Sequence, residues 1–273
     1  MAAPLLPDAL WERAMPLLPP PEPRRFRYPG RKPLTDRQAL TGILFVLKTG
    51  IRWNDLPREM GCGSGSRCRR RLQAWHRAGI WHRLHAVLLA ELRGADKIDW
   101  SRAAVDSSFV RARGGGEETG PSPVDRRKPG TKHTLLVDRH GVPLALRTAG
   151  ANASDHTQII PLVLDFPKVK GKPGRPKELP DAAYADRGYD SDDTRWILAW
   201  LGIEPHIGKR KTPHGSGLGK IRWVVERTIS WLKGLRRLRI RYDRLAVIQD
   251  AWDTLAACVI CFRLLHDDDT LLG

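Results

Sequence analysis

The chain has 273 residues, 41% of them hydrophobic, so it can bury a core as one large or two small domains and is not a disordered basic tail. Its 47 Lys and Arg against 30 Asp and Glu leave a net charge of +17, a self-repulsion that a polyanion relieves, and nucleic acid is the usual one. A membrane partner is disfavoured, because the longest apolar run, residues 256–262, is too short to span a bilayer and no Lys-rich amphipathic helix follows it.

The amino terminus lacks a basic segment and is broken by Pro4 and Pro7, so it does not read as a signal peptide, and cytoplasmic, nucleoid-associated residence is expected. Residues 1–33 read as a short helix followed by a Pro-rich basic arm, 24–32, of a kind that touches phosphates. Residues 34–96 form a helical unit. Thr35 or Asp36 caps a helix with apolar positions at Leu40, Ile43, Leu44 and Leu47, and Gly50 ends it. A GCGSG connector precedes a second helix whose Cys68, Leu72 and Trp75 share one face while Arg67, Arg70, Arg71 and Arg77 point elsewhere. Helix, turn and basic helix outline a helix-turn-helix DNA reader; a small bundle with a solvated basic face is the alternative. Cys62 and Cys68, and the Cys258–Cys261 pair within an apolar helix, lack zinc-like spacing and read as core.

Residues 97–245 change period. The segment 99–111 alternates as a strand, with Asp106 in its middle among Ala, Val and Phe; a carboxylate there is costly to desolvate unless a cation meets it. Residues 112–131 are too polar to pack and read as a mobile loop. Two strands follow around the turn at Asp138–Gly141, then a helix capped within 152–155 and a short strand, 181–185. Asp186 stands at that strand's carboxyl end, where ligands gather in crossed-over sheets, and Asp190 or Ser191 caps the next helix. After another short strand and a basic loop comes the helix from Lys220, on which Arg222, Glu226 and Lys233 lie within about 40° of one another. Its tail adds Arg236, Arg237, Arg239, Arg241 and Arg244 as a phosphate-facing stripe, and residues 246–273 form a last apolar helix and an acidic tail.

Strands and helices in this order, with acids on the first strand, the fourth strand and the last crossover helix, resemble the ribonuclease-H-like α+β fold: a mixed five-stranded sheet with flanking helices. The chain resembles bacterial insertion-sequence transposases of the DDE class, in the group called insertion sequence family five. Arg222, Glu226 and Lys233 reproduce the family's spacing of Arg, three residues, Glu, six residues, Lys, although Gly219 stands where the family has Tyr. The AVDSS and YADRGYDS segments align Asp106 and Asp186 with the first and second acids.

The resemblance implies a catalytic triad of Asp106, Asp186 and Glu226 holding two Mg²⁺ ions, with Mn²⁺ as a substitute. It further implies double-stranded DNA as partner, a homodimer on the paired transposon ends, and DNA contacts from Arg67, Arg70, Arg71, Arg77, Arg222, Lys233, Arg236 and Arg237. Lys233 lies too far along the helix from Glu226 to be a ligand and is expected on a phosphate. A nuclease that cuts without joining and a non-catalytic DNA-binding regulator are the alternatives.

Overall fold

Strand β1 (Ala103–Ala112) lies at the centre of the sheet, and its first three residues are buried on both faces, as a strand covered by helices requires. The computed structural model describes residues 4–20, 27, 33–176, 178–210 and 219–266. In it, β1 pairs antiparallel with β3 (Pro129–Asp138), which turns back into β4 (Pro143–Gly150). The turn is closed by the Asp138 carboxylate, which accepts from the backbone N–H of His140 at 2.9 Å and of Val142 at 2.7 Å, and Gly141 supplies a φ of 88°. On its other side β1 runs parallel to β5 (Ala182–Ala185), and β5 parallel to β6 (Glu204–Ile207). The two-residue strands β2 (Gly120–Pro121) and β7 (Ile240–Arg241) join β3 and β1, so the main order is β4-β3-β1-β5-β6. This is the mixed sheet of the ribonuclease-H-like fold.

Upstream, a short helix α1 (Asp8–Ala14) precedes α2 (Asp36–Thr49), which opens on a capping box between Thr35 and Gln38 and closes at Gly50 with φ 72°. The basic helix α3 (Gly65–Arg77) buries Cys68, Leu72 and Trp75, and α4 (Ile80–Gly94) follows. Between α2 and α3 lie two 3-10 turns, Trp53–Asp55 and Arg58–Met60, a longer connection than the tight turn of a compact helix-turn-helix. Helices α5 (His156–Leu164) and α6 (Asp192–Trp200) pack on each other, and α7 (Gly219–Gly234) lays Val224, Val225, Thr228 and Leu232 against β1 and β3. Helix α8 (Ala246–His266) packs on α3, α4 and β4, so one continuous core runs from Leu6 to Phe262. All four cysteines are buried and unpaired with one another in that core.

Two expectations need correction. Residues 112–131 are not one free loop, although most of them are exposed: they contain β2, and the buried Arg241 donates to the carbonyl oxygens of Glu117 at 2.6 Å and Glu118 at 3.2 Å. A guanidinium has five donors and no acceptor, so backbone carbonyls of a polar segment are what it needs inside. For the same reason Arg241 and Arg237 do not belong to a solvent-facing stripe: Arg237 is buried, pairs with Asp243 at 2.7 Å and donates to the Ile51 carbonyl at 3.1 Å. The basic arm at 24–32 except Arg27, most of the loop at 209–219 and the tail beyond 266 lie outside the described residues.

Candidate active site

Strands β1 and β5 share register only at Ala103 with Ala183 and Ala104 with Tyr184. Just beyond this short ladder the chains diverge, and Asp106 and Asp186 stand at the mouth of the opening. Asp106 accepts from the Ser107 N–H at 2.8 Å through Oδ1 and pairs through Oδ2 with Arg222 Nη2 at 3.0 Å. Asp186 accepts from the Gly188 N–H at 2.8 Å, which opens the 3-10 turn Arg187–Tyr189, and its Oδ2 lies 3.8 Å from the same Arg222 nitrogen. A Cβ at Gly188 would fall 2.8 Å from Asp155 Oδ2 and 3.0 Å from Asp186 Oδ1, so a side chain here would push both carboxylates out of place.

One guanidinium therefore lies between two carboxylates from adjacent strands and offsets one of their two charges. Burial raises the Asp106 pKa above the usual carboxylate range; Arg222 and the Ser107 N–H oppose the shift, and the charges of Asp186 and Glu226 add to it. Glu226 is exposed on α7, one turn beyond Arg222. Arg222 thus bonds the two aspartates and not Glu226, as an i, i+4 pair would have had it, and it is occupied among the acids instead of free for a phosphate. Its Nε is buried with no hydrogen-bond partner among the described residues.

The donor set suits a hard divalent ion at two of the three positions: carboxylate oxygens of Asp106 and Asp186 converge on a cation, and Arg222 Nη2 is the stand-in. Among the described residues no group of three or more His, Cys, Asp or Glu side chains is arranged to hold a metal as it stands.

The remaining basic residues divide by exposure. Arg67, Arg70 and Arg77 on α3 and Arg236 after α7 are exposed, and Lys233 is half-buried. Arg71 instead pairs with Asp36 at 3.1 Å and lies over the Trp75 ring. Arg237 is the buried residue described above. Asp190 does not cap α6; Ser191 does, at 3.1 Å from the Thr194 N–H, while Asp190 binds Arg195 at 2.7 Å.

Sequence reasoning missed Asp155, Ser107 and Tyr189 as parts of the site. Asp155 looks like a helix cap, yet its carboxylate turns away from α5 and meets the buried Lys132 at 2.7 Å. The available signal was Lys132 itself, a cation in a strand that is otherwise buried and so in need of an anion from elsewhere. Lys132 and Asp155 also line a cleft of about 440 Å³ with Phe109, Arg127, Gly188 and Arg210. His133, the other secondary candidate, is buried beside Gln249 and Asp253.

A mixed ribonuclease-H-like sheet that brings Asp106 of β1 and Asp186, just past β5, to one cation, preceded by a helical region, is the arrangement expected of the DDE class of transposases. The chain belongs to the family described as "Transposase DDE domain", whose model matches residues 101–261, more than half of its length. Residues 6–85 match a second model described as "Putative transposase of IS4/5 family". It is 51% identical over 160 residues to the "Putative transposase for insertion sequence element IS402" of Burkholderia cepacia, covering 59% of this chain and 76% of that one. It is also 62% identical over 129 residues to the "Insertion element IS402 uncharacterized 16.2 kDa protein" of Burkholderia cepacia, 47% of this chain and 88% of that one. Among solved structures, the Mos1 strand transfer complex matches at a TM-score of 0.37 and 12% identity, over 89% of this chain and 77% of that chain. The resemblance read from the residues is thus the family to which the chain belongs, within the insertion-sequence group that the IS402 relatives represent.

Proposed function

We propose that this transposase binds the terminal inverted repeats of an insertion sequence as double-stranded DNA, cleaves the strand ends and joins them to target DNA. The single observation that supports the chemistry is the meeting of Asp106 and Asp186 on one cation past the end of a two-residue ladder, with Glu226 contributing its charge from α7. In this reading Asp106, Asp186 and Glu226 hold divalent ions, Mg²⁺ by preference and Mn²⁺ as a substitute. When bound, such ions stabilise the attacking and leaving oxygens of an in-line displacement at phosphorus.

The chain's own residues prepare that site. Burial of Asp106 and its Ser107 N–H bond hold one carboxylate oxygen in place, the Gly188 N–H does so for Asp186, and Arg222 offsets one of their two negative charges until a divalent ion takes its place. The exposed Arg67, Arg70, Arg77 and Arg236, with Lys233, serve the phosphate backbone, and two ends handled together call for a homodimer on DNA.

The test is a strand-transfer assay with a labelled inverted-repeat end and Mg²⁺, comparing wild type with Asp106→Ala and Glu226→Ala. Joining in wild type and loss of both cleavage and joining in the variants is the expected result. Hydrolysis without joining would indicate a nuclease, and metal-independent binding with no chemistry in wild type would indicate a regulator.

A further inference from the structure

The two aspartates are joined by a polar knot on the side of β1 away from Arg222. Ser107 Oγ lies 3.1 Å from Thr134 Oγ1 and 3.2 Å from Asp155 Oδ1, and it also bonds the Tyr189 hydroxyl. Four pieces of chain meet there: β1, β3, the residue before α5, and the turn after β5. A hydroxyl has one proton and two lone pairs, and an ionised carboxylate only accepts. Ser107 therefore donates to Asp155 and accepts from Tyr189 and Thr134, so all the directions in the knot are set. Lys132 Nζ fixes the far end, 2.7 Å from Asp155 Oδ1 and 2.6 Å from the Ala153 carbonyl.

Each end of the Ser107–Tyr189 bond adjoins one acid. The Ser107 N–H donates to Asp106 Oδ1 at 2.8 Å, and the Tyr189 N–H donates to the Asp186 carbonyl at 3.2 Å. The backbone ladder between β1 and β5 ends at Ala104 and Tyr184, before either acid, and β1 is next paired by β7 at Arg111. Past the ladder, the separation of Asp106 from Asp186 is spanned by this side-chain bond. Tyr189 is 1% exposed, so its hydroxyl has no access to water as an alternative partner.

We propose that Tyr189, Ser107 and Asp155 are positioning residues: a relay anchored on Lys132 that sets the spacing of Asp106 and Asp186 for a divalent ion. The inference rests on the reading of those aspartates as metal ligands. Residues of this kind change metal affinity by roughly 10- to 100-fold without touching the metal.

The test is Mn²⁺ titration of the full-length chain by calorimetry, with thermal unfolding of each variant in parallel and inverted-repeat affinity in chelator as a fold control. Tyr189→Phe removes the donor and keeps the ring, so it should fold and bind DNA like wild type while Mn²⁺ affinity falls about tenfold. Ser107→Ala also removes the bonds to Asp155 and Thr134 and should lose at least as much, and the double variant should lose no more than Ser107→Ala alone, because the bond that Tyr189→Phe cuts is already gone; independent packing defects would add. Wild-type Mn²⁺ binding that Asp106→Ala abolishes, with Tyr189→Phe within twofold of wild type, would overturn the relay and leave the aspartate reading standing. Wild-type Mn²⁺ binding that survives Asp106→Ala would overturn both.

Discussion

Arg222 holds a positive charge between two carboxylates at side-chain exposures of 16% for itself, 18% for Asp106 and 42% for Asp186, so removing it leaves a buried carboxylate facing a part-exposed one. Arg222→Gln should lower stability by about 1–3 kcal/mol, since it leaves part-buried charge unpaired. Added Mg²⁺ should raise the melting temperature of this variant more than that of wild type, because the ion takes over the neutralising role. A second residue-scale prediction concerns His85, which is buried and donates through Nε2 to the Pro143 carbonyl at 2.8 Å. Burial lowers its pKa to about 4, against about 6.5 in the unfolded chain. The unfolded state therefore takes up the proton first, and the stability His85 contributes is complete above pH 6.5 and is lost as pH falls toward 4. The loss amounts to about 3 kcal/mol over that window. Urea unfolding of wild type and His85→Gln at pH 7 and pH 5 checks it: the variant should show the shallower dependence.

At the scale of elements, the seating of the basic helix is the sensitive point. The backbone at Gly65 comes so close to the Trp53 turn that a Cβ would sit 1.8 Å from the Trp53 carbonyl oxygen, and backbone cannot step aside as a flexible side chain can. Gly65→Ala should cost about 3 kcal/mol or more and weaken DNA binding by displacing α3, read by thermal unfolding and by binding to an inverted-repeat duplex. At the start of α7 the opposite holds. A Cβ on Gly219, which stands where the family carries Tyr, meets nothing within 4 Å among the described residues. Gly219→Tyr should leave the melting temperature within a few degrees of wild type. Helix α2 was legible to within a residue from Thr35 or Asp36 and Gly50, because caps are local chemistry. The anchoring of residues 117–118 was not, because what holds their carbonyls is Arg241, more than a hundred residues away in the chain.

Across the whole molecule the +17 charge divides into cations that hold the fold and cations that are free for a polyanion. Arg237 and Arg241 are of the first kind, Arg67, Arg70 and Arg77 of the second. Alanine at each of the three exposed positions should reduce the dependence of DNA affinity on salt by about one unit of log–log slope for every phosphate that the variant no longer neutralises, with little change in stability. Arg237→Ala should instead destabilise by about 3–5 kcal/mol by stranding Asp243, which separates the two kinds in one series of melts and salt titrations.

The same division marks how far the sequence reached. The resemblance carried by the Arg222, Glu226 and Lys233 signature and by the AVDSS and YADRGYDS segments was enough for the family and the candidate acids, and caps and strand alternation were enough for the order of the main elements, because each is a property of residues near one another in the chain. Which charge meets which acid was decided only by the tertiary structure. Arg222 turned to Asp106 and Asp186 and not to its helical neighbour Glu226, Asp155 left its cap for Lys132, and Arg237 went inside. Desolvation is the reason: a buried ion takes the partner the fold brings to it, and linear spacing does not say which element that partner will come from.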